Sequence, residues 1–484
     1  MVPATTRIYL IALHTSLAGM LWGLDTGSIA LSVHLSSGVL GIYVACILLS
    51  ASLSSLCSGY TADLLSRKYG ILTGGIIVLL GTIISASAKT FPVLVCARLI
   101  TGIGQGQSIS VVTIYLCEIS PGEIRGTVAA VLQLLITVGI ALGYFVAYAS
   151  SRIGGELAWR TPFILEASMA AVFVSGMAFM PYSPRWLIQR GRIDEARAVL
   201  QKLRASSELV EDELCLIKGS LEEQSQEDAS YREIFQKRYI RRSILGVFLM
   251  SSQMLCGIDA VLYYAPILFT QAGFTSNRAA FLASGVSGII NLIFTIPAQL
   301  WVDKWGRRFP LIGGGVSIAT CFMAIGTLYA IYGGKADGQV YLTGKGPQWA
   351  VIILIYMFVA SFSCSWAVVI KIYACEIIPT RLRAKACAVQ QLSNWLVNFT
   401  VALTTPLFLR ASPSGPYFLF GSAALFTAVV CHFLMPETKG KSLEEIEDLF
   451  EMTPQVYATY IFYQWSGRYK SSRHIWIETV VKLK

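Results

Sequence analysis

Charge is scarce in this chain. Only 14% of its 484 residues are Asp, Glu, Lys or Arg, and histidine occurs four times. Soluble domains carry about 25% charge. One or two soluble cores cannot hide a chain that is 55% hydrophobic. A disordered or nucleic-acid-binding protein is excluded on the same ground. The eleven cysteines include no CxxC and no Cys/His spacing suited to zinc. Cys46, Cys57, Cys96, Cys321 and Cys431 sit inside apolar runs and read as small buried hydrophobes, not as a disulfide framework. No nucleotide loop, metal cluster or catalytic triad is present, so neither an enzyme nor a cofactor is expected. A cleavable signal peptide is also missing: the first apolar run, Ile8 to about Val33, is too long for one.

What the chain has instead is long hydrophobic runs. A helix crossing the hydrocarbon core needs roughly 20 apolar residues. Twelve stretches qualify, at about 8–32, 39–61, 69–88, 93–117, 126–149, 162–181, 243–270, 279–302, 309–332, 349–375, 384–408 and 415–435. They divide the chain into an N-terminal six-helix bundle (1–181), a polar linker (182–242), a C-terminal six-helix bundle (243–436) and a tail (437–484). The expected fold is an all-α membrane protein of twelve transmembrane helices. In the linker, Leu187, Ala196, Val199, Leu200 and Leu203 recur at helical spacing and predict amphipathic helices at the membrane surface. Lys and Arg concentrate on one side of the spans. Arg67, Lys68, Arg125, the linker, Lys304, Arg307, Arg308, Arg381, Arg383 and Lys385 lie there, against Lys89, Arg278 and Lys345 opposite. The positive-inside rule then places both termini in the cytoplasm and accounts for the net charge of +10 without an anionic partner.

The two halves repeat one another. Asp63-Leu-Leu-Ser-Arg67-Lys68 after span 2 matches Asp303-Lys-Trp-Gly-Arg307-Arg308 after span 8. Glu118-Ile-Ser-Pro-Gly-Glu-Ile-Arg125 after span 4 matches Glu376-Ile-Ile-Pro-Thr-Arg381 after span 10. Such duplication marks a transporter built from two six-span units. Loops of opposite charge are expected to lock the two bundles together at one mouth and release as it opens, because exposed ion pairs worth about 0–1 kcal/mol can cycle.

With Gly23-Leu-Asp25-Thr-Gly27, Pro181-Tyr-Ser-Pro-Arg185-Trp186, Gly257-Ile-Asp259-Ala-Val-Leu-Tyr263-Tyr264 and Pro436-Glu437-Thr-Lys439-Gly, these loops carry a resemblance over about residues 7–450. The chain resembles the sugar-porter branch of the major facilitator superfamily, especially fungal sugar:proton symporters. The resemblance implies a plasma-membrane carrier that works by alternating access. Ser66 stands where the family pattern has glycine, so a looser turn is expected.

Four charges within spans, Asp25, Arg98, Asp259 and Lys371, are the hardest to explain as packing, because each costs at least about 2.5–3.5 kcal/mol unless paired or wetted. In the proton-coupled members that the chain resembles, positions matching Asp25 and Arg98 form a pair whose protonation couples to transport; a static ion pair is the alternative. Asp259 and Lys371 depart from the family, which has Asn and Trp there. The family's helix-breaking glycine and prolines around Lys371 are absent, and an unbroken helix is expected. Lys371 is read as pairing with Asp259, meeting a substrate carboxylate, or snorkelling. Glu166 and His14 read as satisfied polar groups of the bundle interior. A polyol site needs amides, which both donate and accept, and an aromatic plane. Gln133, Gln253, Asn291, Asn394 and Asn398 supply the amides, with Trp395 beside them, and by resemblance each matches a sugar-contacting position. Tyr263 and Tyr264 match the segment that closes the outer gate. Met254 replaces an expected glutamine. The expected cargo is a monosaccharide, hexose or pentose, moved with a proton by a monomer. A carrier of sugar acids and a non-transporting sugar sensor stay as alternatives.

Overall fold

A computed structural model describes residues 4–29, 37–121, 124–153, 155–204, 206–224, 231–273, 277–336, 339–379, 382–439, 446 and 449–450. All twelve expected spans are helical. Span 1 is Ala4–Thr15 and Leu17–Ser28, span 2 Ser37–Leu65, span 3 Arg67–Ser87, span 4 Phe91–Ile119, span 5 Arg125–Ser150 and span 6 Leu157–Met177. Span 7 is Ile240–Leu255, Ile258–Tyr263 and Ala265–Gln271; span 8 is Asn277–Trp305 and span 9 Arg308–Tyr332. Span 10 is Lys345–Cys364 and Trp366–Glu376, span 11 Arg383–Ala411 and span 12 Gly415–Leu434. Among the described residues, eleven helices are long and apolar enough to cross a membrane. Span 4 is as long as any other helix, but it buries Arg98, Thr101, Gln105, Gln107 and Ser108. Its neighbours shield it, so it can be polar.

Span 4 lies between spans 2 and 3, and span 1 packs on span 5. In the other half, span 9 packs on span 12 and span 7 on span 11. The halves meet along spans 2 and 11 and along spans 5 and 8. The linker forms Pro184–Gln189, Ile193–Leu203 and Ser207–Gln224, as its periodicity predicts. Leu187, Ala196 and Leu200 are fully buried in a small core with Trp186, Val210 and Leu214, and Val199 packs against it. The Arg190 guanidinium donates to the Asp63 carbonyl at 2.8 Å, and Arg204 donates to the Ile119 carbonyl at 3.1 Å. These bonds hold the linker against the ends of spans 2 and 4. Of the tail, Ile446, Leu449 and Phe450 are buried. The link at about Leu31–Gly38, which the resemblance leads one to expect to be longer, lies outside the described residues as far as residue 36, and so does the patternless stretch Trp465–Lys484.

Three local features differ from expectation. A two-stranded antiparallel hairpin, Gly333–Ala336 with Gln339–Leu342, joins spans 9 and 10. Span 7 breaks at Gly257, whose φ of +81° suits glycine. Span 10 also breaks, at Ser365, despite lacking glycine and proline there. The Ser365 hydroxyl donates to the Ser361 carbonyl at 2.6 Å, a back-bond that bends helices.

The loop after span 2 keeps the tight turn as well. Ser66 has φ +96° and ψ 157°, a region essentially reserved for glycine, and Gly306 holds φ +82° at the repeat-related position. The Ser66 hydroxyl caps span 3 by accepting from the Tyr69 amide at 3.2 Å. Relief of strain is worth about 1–3 kcal/mol. Exchanging a serine cap for glycine costs only a few tenths. Ser66→Gly is therefore expected to raise the melting midpoint of the purified protein, by about 1 kcal/mol of added stability.

Candidate substrate and proton path

Asp25 sits near the end of span 1 and Arg98 in the first half of span 4. Both are about 98–99% buried. Arg98 Nη1 donates to Asp25 Oδ1, and Nη2 donates to the Tyr43 hydroxyl of span 2. The guanidinium also lies 4.5 Å from the centroid of the Tyr43 ring and 5.2 Å from that of Phe163 in span 6. Glu166, one turn from Phe163, is buried close enough to act electrostatically on Arg98. Its Oε1 has no hydrogen-bond partner among the described residues, so the expectation of a satisfied interior group fails there for Glu166. It holds for His14, whose Nε2 bonds the Phe173 carbonyl at 3.0 Å. Four spans thus converge on one buried acid–base cluster. The Asp25–Arg98 pairing is the one the family resemblance implied; Tyr43 carries no such signal.

Most of the amides gather across spans 5, 7, 10 and 11. Asn394 donates to Gln253 Oε1 at 3.1 Å and to the Met250 carbonyl at 2.8 Å. Gln253 donates to the Trp366 carbonyl at 2.9 Å, just beyond the break of span 10. One turn on, Asn398 donates to Asp259 Oδ2 and, at 3.3 Å, to the Tyr263 hydroxyl. The break at Gly257 starts a new helix at Ile258 and so puts Asp259 in its first turn. Asn291 stands apart: its Oδ1 accepts from Ser363 at 2.8 Å, within the interface of spans 8 and 10. In span 11 two buried polar atoms, Asn398 Oδ1 and Trp395 Nε1, have no hydrogen-bond partner among the described residues; one is an acceptor and the other a donor, three residues apart. Trp395 meets Trp22 edge-on, with centroids 4.6 Å apart. Trp22 is one turn before Asp25, so the amide set and the acid–base cluster touch through two indoles.

Lys371 does not pair directly with Asp259. Its Nζ donates to Gln133 Oε1 of span 5 at 3.0 Å and so bridges the two halves. The reason is placement: Lys371 is in the second helix of span 10, which contacts span 5.

The loop ion pairs also form differently from the expected lock between bundles. Arg67 Nη1 meets Asp63 at 2.9 Å, and its Nε meets Glu118 at 3.0 Å. Arg307 meets Glu376 at 2.7 Å. Each pair lies within its own half, because base and acid follow spans 2 and 4, or 8 and 10, of the same repeat. Asp303 and Arg125 lie at helix ends, and Arg381 lies outside the described residues. Glu437 of the tail motif accepts from the Arg307 and Arg308 amides at 2.9 Å each. On the side away from the linker, the Tyr264 hydroxyl donates to the Ala402 carbonyl at 2.7 Å. Tyr144 of span 5 donates to the Leu262 carbonyl. Span 7 is thereby tied to both halves where Tyr263 and Tyr264 were expected to close a gate.

The sequence profile of the family described as "Sugar (and other) transporter" matches residues 11–450. The chain is 29% identical over 473 residues to a high-affinity glucose transporter of Kluyveromyces lactis, covering 93% of this chain and 86% of that protein. It is 30% identical over 411 residues to the sugar transport protein MST7 of Oryza sativa subsp. japonica, covering 85% and 80%. Its fold matches the major facilitator proton:xylose symporter XylE bound to 6-bromo-6-deoxy-D-glucose. That match has a TM-score of 0.80 at 28% identity and covers 93% of this chain and 100% of XylE.

Proposed function

Because the chain belongs to the sugar (and other) transporter family, we propose that it moves a monosaccharide across the plasma membrane together with a proton. The work is transport, not catalysis. Residues 1–181 and 243–436 act as two bundles that expose a shared path to each side in turn, joined by the linker 182–242 and followed by the tail 437–484. A single chain is the working unit. Both termini face the cytoplasm, where Lys and Arg concentrate.

One observation carries the coupled reading. The buried Asp25–Arg98 pair lies against the amide set through Trp22 and Trp395, which meet with centroids 4.6 Å apart. Protonation of Asp25 removes the charge that holds Arg98 and so changes the helix whose indole meets the sugar-binding span. On the sugar side, the unsatisfied Asn398 acceptor and Trp395 donor supply what a hydroxyl needs. Gln253 and Asn394 shape that wall, and Asn291 fixes spans 8 and 10 behind it. Tyr263 and Tyr264 close the path on one side. The charged loops of Asp63, Arg67, Glu118 and Arg125, and of Asp303, Arg307, Glu376 and Arg381, set helix-end geometry at the other mouth and change partners as it opens.

The test is uptake of a labelled hexose or pentose into proteoliposomes. An inward proton gradient is expected to drive accumulation above the outside concentration. Uptake that stops at equal concentrations with and without the gradient would overturn coupling.

A further inference from the structure

Two charges in the path remain unjoined. Lys371 Nζ spends one donor on Gln133, and no carboxylate among the described residues lies within 4.0 Å of it. Asp259 Oδ2 accepts from Asn398 and, at 3.5 Å, from Tyr263, while Oδ1 takes no bond among the described residues. Both residues are only half-buried, whereas Gln253, Asn394, Trp395, Asn398 and Tyr263 around them are buried. With Gln133, which is also half-buried, they are the least buried polar groups of this cluster, and they are its two charged members. They stand close enough for each to act electrostatically on the other. Each is instead held by an amide: Lys371 donates to Gln133 of span 5, and Asp259 accepts from Asn398 of span 11.

We propose that Asp259 and Lys371 form a divided ion pair whose gap is closed by the vicinal hydroxyls of a neutral sugar, so that the pair selects the charge class of the substrate. The inference rests on the monosaccharide reading above. One hydroxyl donates to Asp259 Oδ1 while its oxygen accepts from Lys371 Nζ; its neighbour repeats the pattern. Both bonds are charge-assisted, and such bonds are roughly twice as strong as neutral ones. The site stays neutral with its cargo bound. A sugar acid would satisfy Lys371 but place its carboxylate beside Asp259, and an amino sugar would satisfy Asp259 but crowd Lys371. Specificity then comes from repulsion as much as from attraction.

Binding to purified protein, read by tryptophan fluorescence with D-glucose, D-xylose, D-glucuronate and D-glucosamine, tests this. The wild type is expected to prefer the neutral sugars. Asp259→Asn and Lys371→Met should each bind them at least about tenfold more weakly, the scale of strongly coupled neighbours. Asp259→Asn should gain glucuronate binding, and Lys371→Met should gain glucosamine binding. The double variant should be no weaker than either single one. Lys371→Arg, which keeps the charge, should keep the preference for neutral sugars, and a merely structural role would not reverse charge selectivity. The proposal is overturned if the wild type prefers glucuronate. It is equally overturned if the single losses multiply in the double variant and Asp259→Asn gains no glucuronate binding. If the wild type binds no sugar of any charge, the monosaccharide reading falls and takes this inference with it.

Discussion

Asp25→Asn is expected to let sugar equilibrate across a membrane and to abolish its accumulation. Asparagine has nearly the shape of aspartate and can still accept from Arg98 Nη1, so the junction of spans 1 and 4 is kept. It cannot take up a proton between physiological pH limits. A difference of one pH unit stores about 1.36 kcal/mol per proton, which supports roughly tenfold accumulation in one-for-one symport. The variant should reach about onefold under the same gradient, while exchange of labelled for unlabelled sugar continues. Persistent gradient-driven accumulation would remove Asp25 from the mechanism. Asparagine is the informative replacement because alanine would leave Arg98 buried without an acceptor. Breaking a buried pair in that way costs about 3–5 kcal/mol, and a loss of transport would then report on folding. Glu166 makes the experiment sharper still. It stays in the cluster beside Arg98, so a residual pH response in Asp25→Asn would point to that carboxyl.

Much of the architecture was legible because a bilayer imposes a length on every apolar run, and the repeated Asp/Arg and Glu/Arg loops marked where each half turned. Span boundaries agree to within a few residues for that reason. Local backbone was less legible. Ser66 keeps a glycine-like φ and Ser365 keeps the break in span 10, since the fold imposes a turn that the residue type alone would not choose. Sequence could place Asn394 and Asn398 on one helix face. It could not say that Asn398 would be spent on Asp259, or that Lys371 would reach Gln133 238 positions away. Such partners depend on which helices become neighbours after folding. The ion pairs of the loops closed within halves for the same reason. Residue type located the charges, and packing decided what they meet.

The close packing of span 4 predicts a large loss of stability. Gly102-Ile-Gly104-Gln-Gly106 resembles a phosphate-binding glycine run in composition alone, and its setting is a buried membrane helix wedged between two others. A Cβ on Gly106 would lie 2.3 Å from the Ala51 carbonyl oxygen of span 2, and one on Gly104 would lie 2.5 Å from the Gly74 carbonyl oxygen of span 3. Both obstacles are backbone and cannot rotate away. Two helices would have to separate, and every contact along them would lengthen, including the one that sets Tyr43 of span 2 against Arg98 of span 4. Overpacking of side chains costs about 1–3 kcal/mol. Backbone clashes belong at or above that upper end, so Gly106→Ala should lower the melting midpoint sharply. Gly106→Leu should fail to give monodisperse protein in detergent. Gly313 in span 9 is the control, because nothing lies within 4 Å of a Cβ added there. Gly313→Ala should be neutral or stabilising by about 0.5–1 kcal/mol through helix propensity. Equal melting shifts for Gly106→Ala and Gly313→Ala would mean that span 4 is not held at van der Waals contact by its glycines. The acid–base cluster would then need another explanation for its placement.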